Sequence, residues 1–121
     1  MHILLVDDEK TIRKGLGFAL RRKGHRVSEV ESALAALELD NLSKFDLIIL
    51  DLNLPFVSGR EFIHILKDRG ILLPVLIMTS QSVTEGEASD LSPGQVISKD
   101  LSLPEILQSI DFLLKSQISN H

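Results

Sequence analysis

The stretch of sequence that decides the fold is 46–59, DLIILDLNLPFVSG. It opens with an apolar run that has no polar alternation, which is typical of a strand covered on both faces in a parallel sheet. The run ends in Asp51, and the turn-forming residues Pro55, Ser58 and Gly59 follow. Apolar residues at helical spacing begin after Ser58 or Gly59. The stretch therefore predicts a strand, an acidic residue at its end, a loop and a helix.

The same strand-then-helix unit recurs along the chain. Apolar, β-branched runs lie at 2–6, 46–50 and 74–78, a weaker run lies at 95–98, and a shorter, more polar run lies at 26–30. Segments with helical spacing separate these runs. Five strands alternating with helices predict a doubly wound α/β fold, in which right-handed crossovers place helices on both faces of a parallel sheet.

Each predicted helix has a recognisable start or an apolar face. Ser32 is placed to cap the second helix, and Ser102 with Glu105 has the spacing of a capping box. The residues predicted to face inward are Ile12, Leu16, Ala19 and Leu20 in the first helix, Ala33, Leu34, Ala36 and Leu37 in the second, Phe62, Ile63, Ile65 and Leu66 in the third, and Ile106, Ile110, Leu113 and Leu114 in the last. The basic residues of the first helix are predicted to lie mostly on its opposite, solvated face.

Composition sets the class of protein and excludes several functions. The chain has 121 residues, 44% of them hydrophobic and 25% charged, as in one soluble domain with a single sizeable core. Its net charge of −4 gives no electrostatic support for sequence-independent nucleic-acid binding. The absence of cysteine excludes disulfides, thiolate metal sites and cysteine nucleophiles. No apolar run approaches the ~20 residues that span a bilayer and no signal-peptide pattern is present, so a cytoplasmic location is the default expectation.

Polar side chains follow the strands at the points where they end. The sequence places Asp7 and Asp8 after the first strand, Asp51 after the third, Thr79 after the fourth and Lys99 after the fifth. Because the carboxyl ends of parallel strands meet at one edge of a sheet, we expect these groups to converge there. Three close carboxylates suit a hard cation with oxygen ligands, above all Mg²⁺. A carboxylate beside Mg²⁺ and an ammonium group can attack phosphorus and form an aspartyl phosphate.

With these residues in order, the sequence resembles the receiver domain of two-component response regulators, a flavodoxin-like phosphoacceptor module. The motifs that carry the resemblance are LLVDDE at 4–9, DLIILDLNLPFVSG at 46–59, PVLIMTS at 74–80 and VISKD at 96–100. Each motif is weak alone, but their order on alternating strands is highly specific. The resemblance implies strand order 2-1-3-4-5, a receiver domain at 1–118 and a tail at 119–121.

The resemblance also implies a role for each residue at the strand ends. Asp51 would be the phosphoacceptor, Asp8 would bind Mg²⁺ directly, and Asp7 would bind it through water or from the second shell. Asn53 would offer its main-chain carbonyl to the metal, and Thr79 and Lys99 would contact the phosphoryl oxygens. Gln81 occupies a position where the family tunes dephosphorylation. The domain would assist only its own phosphorylation and dephosphorylation, so it would not be an enzyme acting on another substrate.

Partners follow from the resemblance as well. The phosphoryl donor would be a sensor histidine kinase or a histidine phosphotransfer protein that docks around the first helix near Arg21 and Arg22. Output would pass to a downstream effector protein or a covalently attached domain, with a phosphorylation-dependent dimer as a further option. The domain would not itself bind nucleic acid or a membrane. The sequence does not distinguish a stand-alone receiver from the front of a longer regulator.

The carboxyl-terminal third departs from the family pattern. Val96 stands where receivers usually carry Tyr or Phe, and Asp100 stands where the family has proline after the lysine. The segment 81–94 is polar and interrupted by Gly86 and Pro93, so its helix is expected to be short, frayed or mobile. An alternative therefore stays open, namely a receiver-like interaction module whose switching is atypical or independent of phosphorylation.

Two other classes of protein fit less well. A flavin-binding protein of this fold needs a Ser/Thr/Gly-rich loop after the first strand to hold phosphate through backbone amides, whereas DDEK at 7–10 would repel phosphate. An aspartate-nucleophile phosphatase needs a second Asp as general acid two residues after the nucleophile. Asn53 stands at that position, and an amide cannot donate the proton.

Overall fold

The computed structural model describes residues 1–80 and 95–119, and its strands form one parallel sheet in the order β2-β1-β3-β4-β5. The strands are β1 (His2–Val6), β2 (Arg26–Val30), β3 (Leu47–Asp51), β4 (Val75–Thr79) and β5 (Gln95–Ser98). The helices are α1 (Lys10–Arg22), α2 (Ala33–Leu37), α3 (Gly59–Asp68) and α4 (Leu103–Ser119), with a 3₁₀ turn at Leu42–Lys44. The predicted fold class and strand order are confirmed.

Two strands include the polar residue that follows their apolar run, namely Asp51 in β3 and Thr79 in β4. Parallel pairing continues to Asp51, which lies opposite Met78, and to Thr79, which lies opposite Ser98. The backbones of both residues are therefore fixed by neighbouring strands. The sheet thus holds these side chains more firmly than loops would.

Apolar side chains cover both faces of the sheet. In β1, Leu4 and Val6 join the cluster under α2 and α3, whereas Ile3 and Leu5 join the cluster under α1 and α4. Successive residues of a strand point to opposite faces, so an unbroken apolar run is what a doubly covered strand requires. The inward residues of α4 are buried as predicted, namely Ile106, Ile110, Leu113 and Leu114.

Side-chain caps define three helix starts. The Ser32 hydroxyl accepts a hydrogen bond from the Ala35 N–H at 3.1 Å, and the Ser58 hydroxyl accepts one from Glu61 N–H at 3.2 Å. Ser102 and Glu105 form the reciprocal bonds of a capping box, each at 3.3 Å. One inward assignment is wrong: Leu34 is 51% exposed, because the short helix α2 turns Ala33 and Ala36 toward the sheet.

The β3–α3 loop holds two unusual backbone positions. A Cβ on Gly59 would lie 2.8 Å from both the Asp51 carbonyl oxygen and the Leu52 Cα, so only glycine lets α3 start this close to the strand end. Phe56 has a positive φ of 66° and its side chain is 93% exposed. Phe56 thus occupies the left-handed region without apolar burial as compensation.

Two expectations lie outside the described residues. The predicted helix within 81–94 and the position of Gln81 fall in a part of the chain that the structure does not describe. Among the residues it does describe, no helix is both long enough and apolar enough to span a membrane.

Candidate functional site

Asp7 and Asp51 deliver buried carboxylates to the carboxyl edge of the sheet. The side chain of Asp7 is 6% exposed and that of Asp51 is 3% exposed. In each residue one oxygen accepts a local backbone hydrogen bond: Asp7 Oδ1 from the Glu9 N–H at 2.8 Å and Asp51 Oδ1 from the Asn53 N–H at 3.0 Å. These bonds fix the orientation of both carboxylates and direct the second oxygen of each toward the centre of the site.

Asp8 completes a cluster of three carboxylates. One oxygen each from Asp7, Asp8 and Asp51 can be chosen so that all three lie within 4.8 Å of one another. Asp8 is exposed, so the cluster opens to solvent on its side. The prediction that these three acids converge is therefore confirmed.

Lys99 supplies the positive charge inside the site. Its ammonium lies 2.9 Å from Asp51 Oδ2, 3.2 Å from Asp7 Oδ2 and 2.7 Å from Glu9 Oε1. The backbone places it there, because the Lys99 N–H donates to the Thr79 carbonyl at 2.9 Å. Burial is the largest single influence and works to lower the pKa of Lys99, but hydrogen bonds to Glu9 and Asp51 and the negative charges of Asp7 and Asp51 together outweigh burial and raise this pKa. The amine therefore stays protonated at neutral pH.

One lysine does not neutralise the site. Burial raises the pKa of Asp7 above its ordinary value of 3.8, although the Glu9 N–H and the Lys99 charge partly oppose this. Asp7 Oδ2 is buried, and although the Lys99 ammonium lies 3.2 Å away, this oxygen accepts no hydrogen bond from the described residues. A buried carboxylate oxygen without a donor is costly unless a cation binds it. Its position beside two further carboxylates fits a hard divalent cation such as Mg²⁺.

The remaining predicted residues lie at the same edge. The Thr79 side chain is buried at the last position of β4, and its backbone carbonyl contacts Lys99. Asn53 is exposed two residues beyond Asp51 and bonds to it through its N–H. The predicted roles of both residues toward phosphate and metal stay predictions.

Three charged residues at this edge were not identified by sequence reasoning. Glu9 pairs with Lys99, and Arg13 donates a hydrogen bond from Nη1 to the Asp7 carbonyl oxygen at 2.7 Å. Glu29 is an acid on the edge strand β2, and its side chain is only 8% exposed because Arg13, Lys14 and Arg21 surround it. A signal was present in the sequence: a glutamate inside a short strand requires a cationic partner when it is buried.

Comparisons with known proteins agree with this geometry. The family model for the response regulator receiver domain matches residues 3–111. The response regulator PmrA of Pseudomonas aeruginosa is 32% identical over 108 residues, which are 88% of this chain and 49% of that protein. The response regulator MprA of Mycobacterium leprae is 32% identical over 117 residues, which are 95% of this chain and 51% of that protein. The chain thus spans about half the length of these curated relatives.

Solved structures give the same picture. The non-phosphorylated HemR receiver domain of Leptospira biflexa is 27% identical and superposes with a TM-score of 0.84, with 93% of each chain covered. The receiver domain of the Francisella response regulator 1452 is 25% identical, with a TM-score of 0.82 over 96% of this chain and 98% of that one.

Proposed function

Because this chain belongs to the response regulator receiver domain family, we propose that it accepts a phosphoryl group on the Asp51 carboxylate in a Mg²⁺-dependent reaction. The observation that carries the proposal is the Lys99 ammonium, which lies within 3.2 Å of both Asp51 Oδ2 and Asp7 Oδ2 in a buried cluster of acids. A purely structural lysine needs one acidic partner, whereas this one faces three.

Asp51 is arranged as a nucleophile. Its Oδ1 is held by the Asn53 N–H, so Oδ2, the oxygen beside Lys99, is the atom we assign to attack phosphorus. In the transfer, an Oδ2–phosphorus bond forms while the nitrogen–phosphorus bond of a phosphohistidine breaks, and its electron pair leaves with the imidazole. The product is an aspartyl phosphate on this chain and a histidine on the donor.

Lys99 and Thr79 would stabilise the transferred group. The ammonium already lies 2.9 Å from the attacking oxygen, so it is in place for charge that develops on the phosphoryl oxygens. The Thr79 side chain, buried at the next strand end, would donate a hydrogen bond to one of them. Asp7, Asp8, Asp51 and the main-chain carbonyl of Asn53 would hold Mg²⁺, which when bound neutralises negative charge on the transferring phosphoryl group.

The phosphoryl donor would be a sensor histidine kinase or a histidine phosphotransfer protein. We assign its docking to the exposed side of α1, where Phe18 is 62% exposed and the Arg22 guanidinium lies 5.8 Å from the Phe18 ring centroid. Output would go to an effector protein or to an attached domain, and phosphorylation would promote dimerisation. Because the curated relatives are about twice as long, an attached output domain is the option that they favour.

Switching in this chain would not use the usual aromatic residue. Val96 stands at that position on β5 and packs, partly buried, against the apolar cluster under α2 and α3. A valine has no ring to move between exposed and buried positions. We therefore assign the signal of phosphorylation to the redistribution of contacts around Lys99 and Thr79 rather than to an aromatic switch.

Intact mass spectrometry after incubation with acetyl phosphate tests the acceptor. We expect wild type to gain the mass of one phosphoryl group with Mg²⁺ and none with EDTA. Asp51→Asn should abolish the gain, because an amide is not a competent nucleophile here. Asp46→Asn is the matched control: Asp46 is an exposed acid before β3 whose carboxylate accepts a hydrogen bond from the His2 N–H at 2.7 Å, so this variant should be labelled normally.

Two outcomes would contradict the proposal. Labelling that survives in Asp51→Asn would place the acceptor elsewhere. Wild type that binds Mg²⁺ but is never labelled would favour the interaction module without phosphorylation.

A further inference from the structure

Starting from the proposed Mg²⁺ site, we propose that Arg13, held by Glu29, is a positioning residue that fixes the backbone of Asp7 and thereby the metal-binding carboxylates. Arg13 would not touch the metal or the phosphoryl group. It would act from the first turn of α1 on a main-chain oxygen, which no motif of the sequence reports.

The first observation is the clamp on the Asp7 backbone. The Arg13 guanidinium donates to the Asp7 carbonyl oxygen at 2.7 Å, a short charge-assisted bond. The Asp7 N–H donates to the Val30 carbonyl at the end of β2, at 3.2 Å. Both backbone polar groups of Asp7 are therefore restrained, and its carboxylate is restrained in turn by the Glu9 N–H. A metal ligand held this way is pre-organised before any ion arrives.

The second observation is how Arg13 itself is held. Its Nε lies 3.4 Å from Glu29 Oε1, and the Arg13 side chain is only 10% exposed. The guanidinium thus lies between two groups: it approaches Glu29 on the edge strand as an ion pair, and it donates a hydrogen bond to the Asp7 carbonyl at the site. An arginine side chain on a solvated helix face would be far more exposed than this.

The third observation is the space made for Glu29. A Cβ on Gly17 would lie 2.9 Å from Glu29 Oε2, so the glycine in α1 leaves room for the carboxylate to reach under the helix. Arg21 also pairs with Glu29, at 2.9 Å, and donates to the Val27 carbonyl at 3.0 Å. Arg21 thus also pairs with Glu29 and donates to a backbone carbonyl, but its contact with Glu29 is shorter than the 3.4 Å of Arg13 and its carbonyl is remote from the acids.

This pairing supplies a matched experiment at constant charge. Arg13→Lys keeps the positive charge but removes the guanidinium that donates to the Asp7 carbonyl, whereas Arg21→Lys makes the same change at another partner of Glu29. We expect the Mg²⁺ dissociation constant, measured by isothermal titration calorimetry with Mg²⁺ alone, to rise about tenfold in Arg13→Lys. In Arg21→Lys it should change by less than about twofold, since the contact of Arg13 with Asp7 remains.

A second measurement tests, in the absence of metal, whether Arg13 restrains the backbone of Asp7. Amide hydrogen exchange at Glu9, whose N–H bonds to Asp7 Oδ1, should accelerate in metal-free Arg13→Lys and stay unchanged in Arg21→Lys. The double variant Arg13→Gln/Glu29→Gln removes one charge of each sign, so weaker Mg²⁺ binding in it cannot be attributed to net charge. Thermal melts in EDTA establish that each variant is folded.

Equal Mg²⁺ affinities in Arg13→Lys and Arg21→Lys, whether both altered or both normal, would overturn the positioning role. Unchanged exchange at Glu9 in folded Arg13→Lys would overturn it as well. Neither result would bear on phosphorylation of Asp51, because the readouts are metal binding and exchange. Wild type that binds no Mg²⁺ at all would instead overturn the proposed function itself.

Discussion

Replacing Asp7 with asparagine should make the protein more stable while removing the proposed metal site. Asp7 is a buried acid whose Oδ2 accepts no hydrogen bond among the described residues, and an unsatisfied buried group of this kind costs about 1–3 kcal/mol. The substitution removes that charge and leaves the steric shape unchanged. Lys99 keeps its two shorter contacts, 2.7 Å to Glu9 and 2.9 Å to Asp51, so its own charge remains paired.

The net change in stability is the difference between the relief from burying the Asp7 charge and the loss of its contact with Lys99. We expect the free energy of unfolding of Asp7→Asn to exceed that of wild type by about 1–2 kcal/mol in EDTA, with the loss of the 3.2 Å contact to Lys99 offsetting part of the relief. For a chain of this size the melting temperature should rise by about 4 °C per kcal/mol. Urea denaturation in EDTA, followed by far-UV circular dichroism, measures the difference directly.

Asp8→Asn is the matched control, because it makes the same change of charge at the adjacent residue. Asp8 is exposed, so its substitution should alter the free energy of unfolding by no more than about 0.5 kcal/mol in EDTA. Mg²⁺ at one hundred times its dissociation constant should stabilise wild type by about 2.7 kcal/mol, and both variants should lose most of this. A loss of stability in Asp7→Asn in EDTA would refute the assignment of Asp7 as a strained metal ligand.

The stability difference between Asp7→Asn and wild type should also depend on pH, in a direction set by the pKa of Asp7. Burial raises the pKa of Asp7 in the folded protein, so the contribution of Asp7 to stability is complete below its unfolded value of 3.8 and is lost as the pH rises through the folded pKa. The advantage of Asp7→Asn over wild type should therefore be full at neutral pH and shrink as the pH falls toward 3.8. An advantage that grows in acid would contradict the direction of the pKa shift.

Three further predictions concern backbone fit and the Glu29 cluster, each measured by urea denaturation. Gly59→Ala should lower the free energy of unfolding by about 1–3 kcal/mol, because the new Cβ would lie 2.8 Å from backbone atoms. In the control Gly15→Ala no atom lies within 4 Å of the new Cβ, so the free energy of unfolding should rise by about 0.5–1 kcal/mol. Equal effects of the two substitutions would contradict the close approach of Gly59 to the strand end. Phe56→Gly should raise it by about 1 kcal/mol through relief of the positive φ, and Phe56→Ala, which keeps Cβ, should not share that gain. Burial opposes ionisation of Glu29, but Arg21 and Lys14 lower its pKa below 4.5. Glu29→Gln should therefore lower the free energy of unfolding at neutral pH, and this loss should disappear as the pH falls. A loss of stability that persists in acid would mean that the shape of the side chain rather than its charge is responsible.

Sequence reasoning predicted the sheet because its signals are local. Strands covered on both faces need unbroken apolar runs, and the runs in β1 and β3 supply both clusters alternately, as the structure shows for Ile3, Leu4 and Leu5. The apolar runs stop one residue before the ends of β3 and β4, because the last residues, Asp51 and Thr79, are polar. Their place in the ladder depends on hydrogen bonds from neighbouring strands, and composition does not report those.

The site could be predicted only where one rule of topology applied. The acids and Lys99 were placed together because the carboxyl ends of parallel strands meet, and the structure brings them within ion-pair distance. Arg13 was assigned to a solvated face because helical spacing separates apolar from charged residues. Spacing cannot show that the edge strand β2 supplies a buried acid beneath α1, so the contact of Arg13 with Asp7 is evident only in the folded structure.

The buried acids of the site and the apolar clusters of the fold contribute to stability with opposite signs. Asp7 and Asp51 are buried beside each other with one ammonium between them, and we expect this arrangement to oppose folding when no further cation is bound. Apolar clusters on both faces of the sheet supply the stability that permits this cost. Substitution of Asp7 should therefore stabilise the protein and remove the proposed metal site, whereas large-to-small substitutions in the apolar clusters should lower its stability. That opposition is what a functional site predicts, because a merely structural cluster of acids and lysine would lose stability when any member is removed.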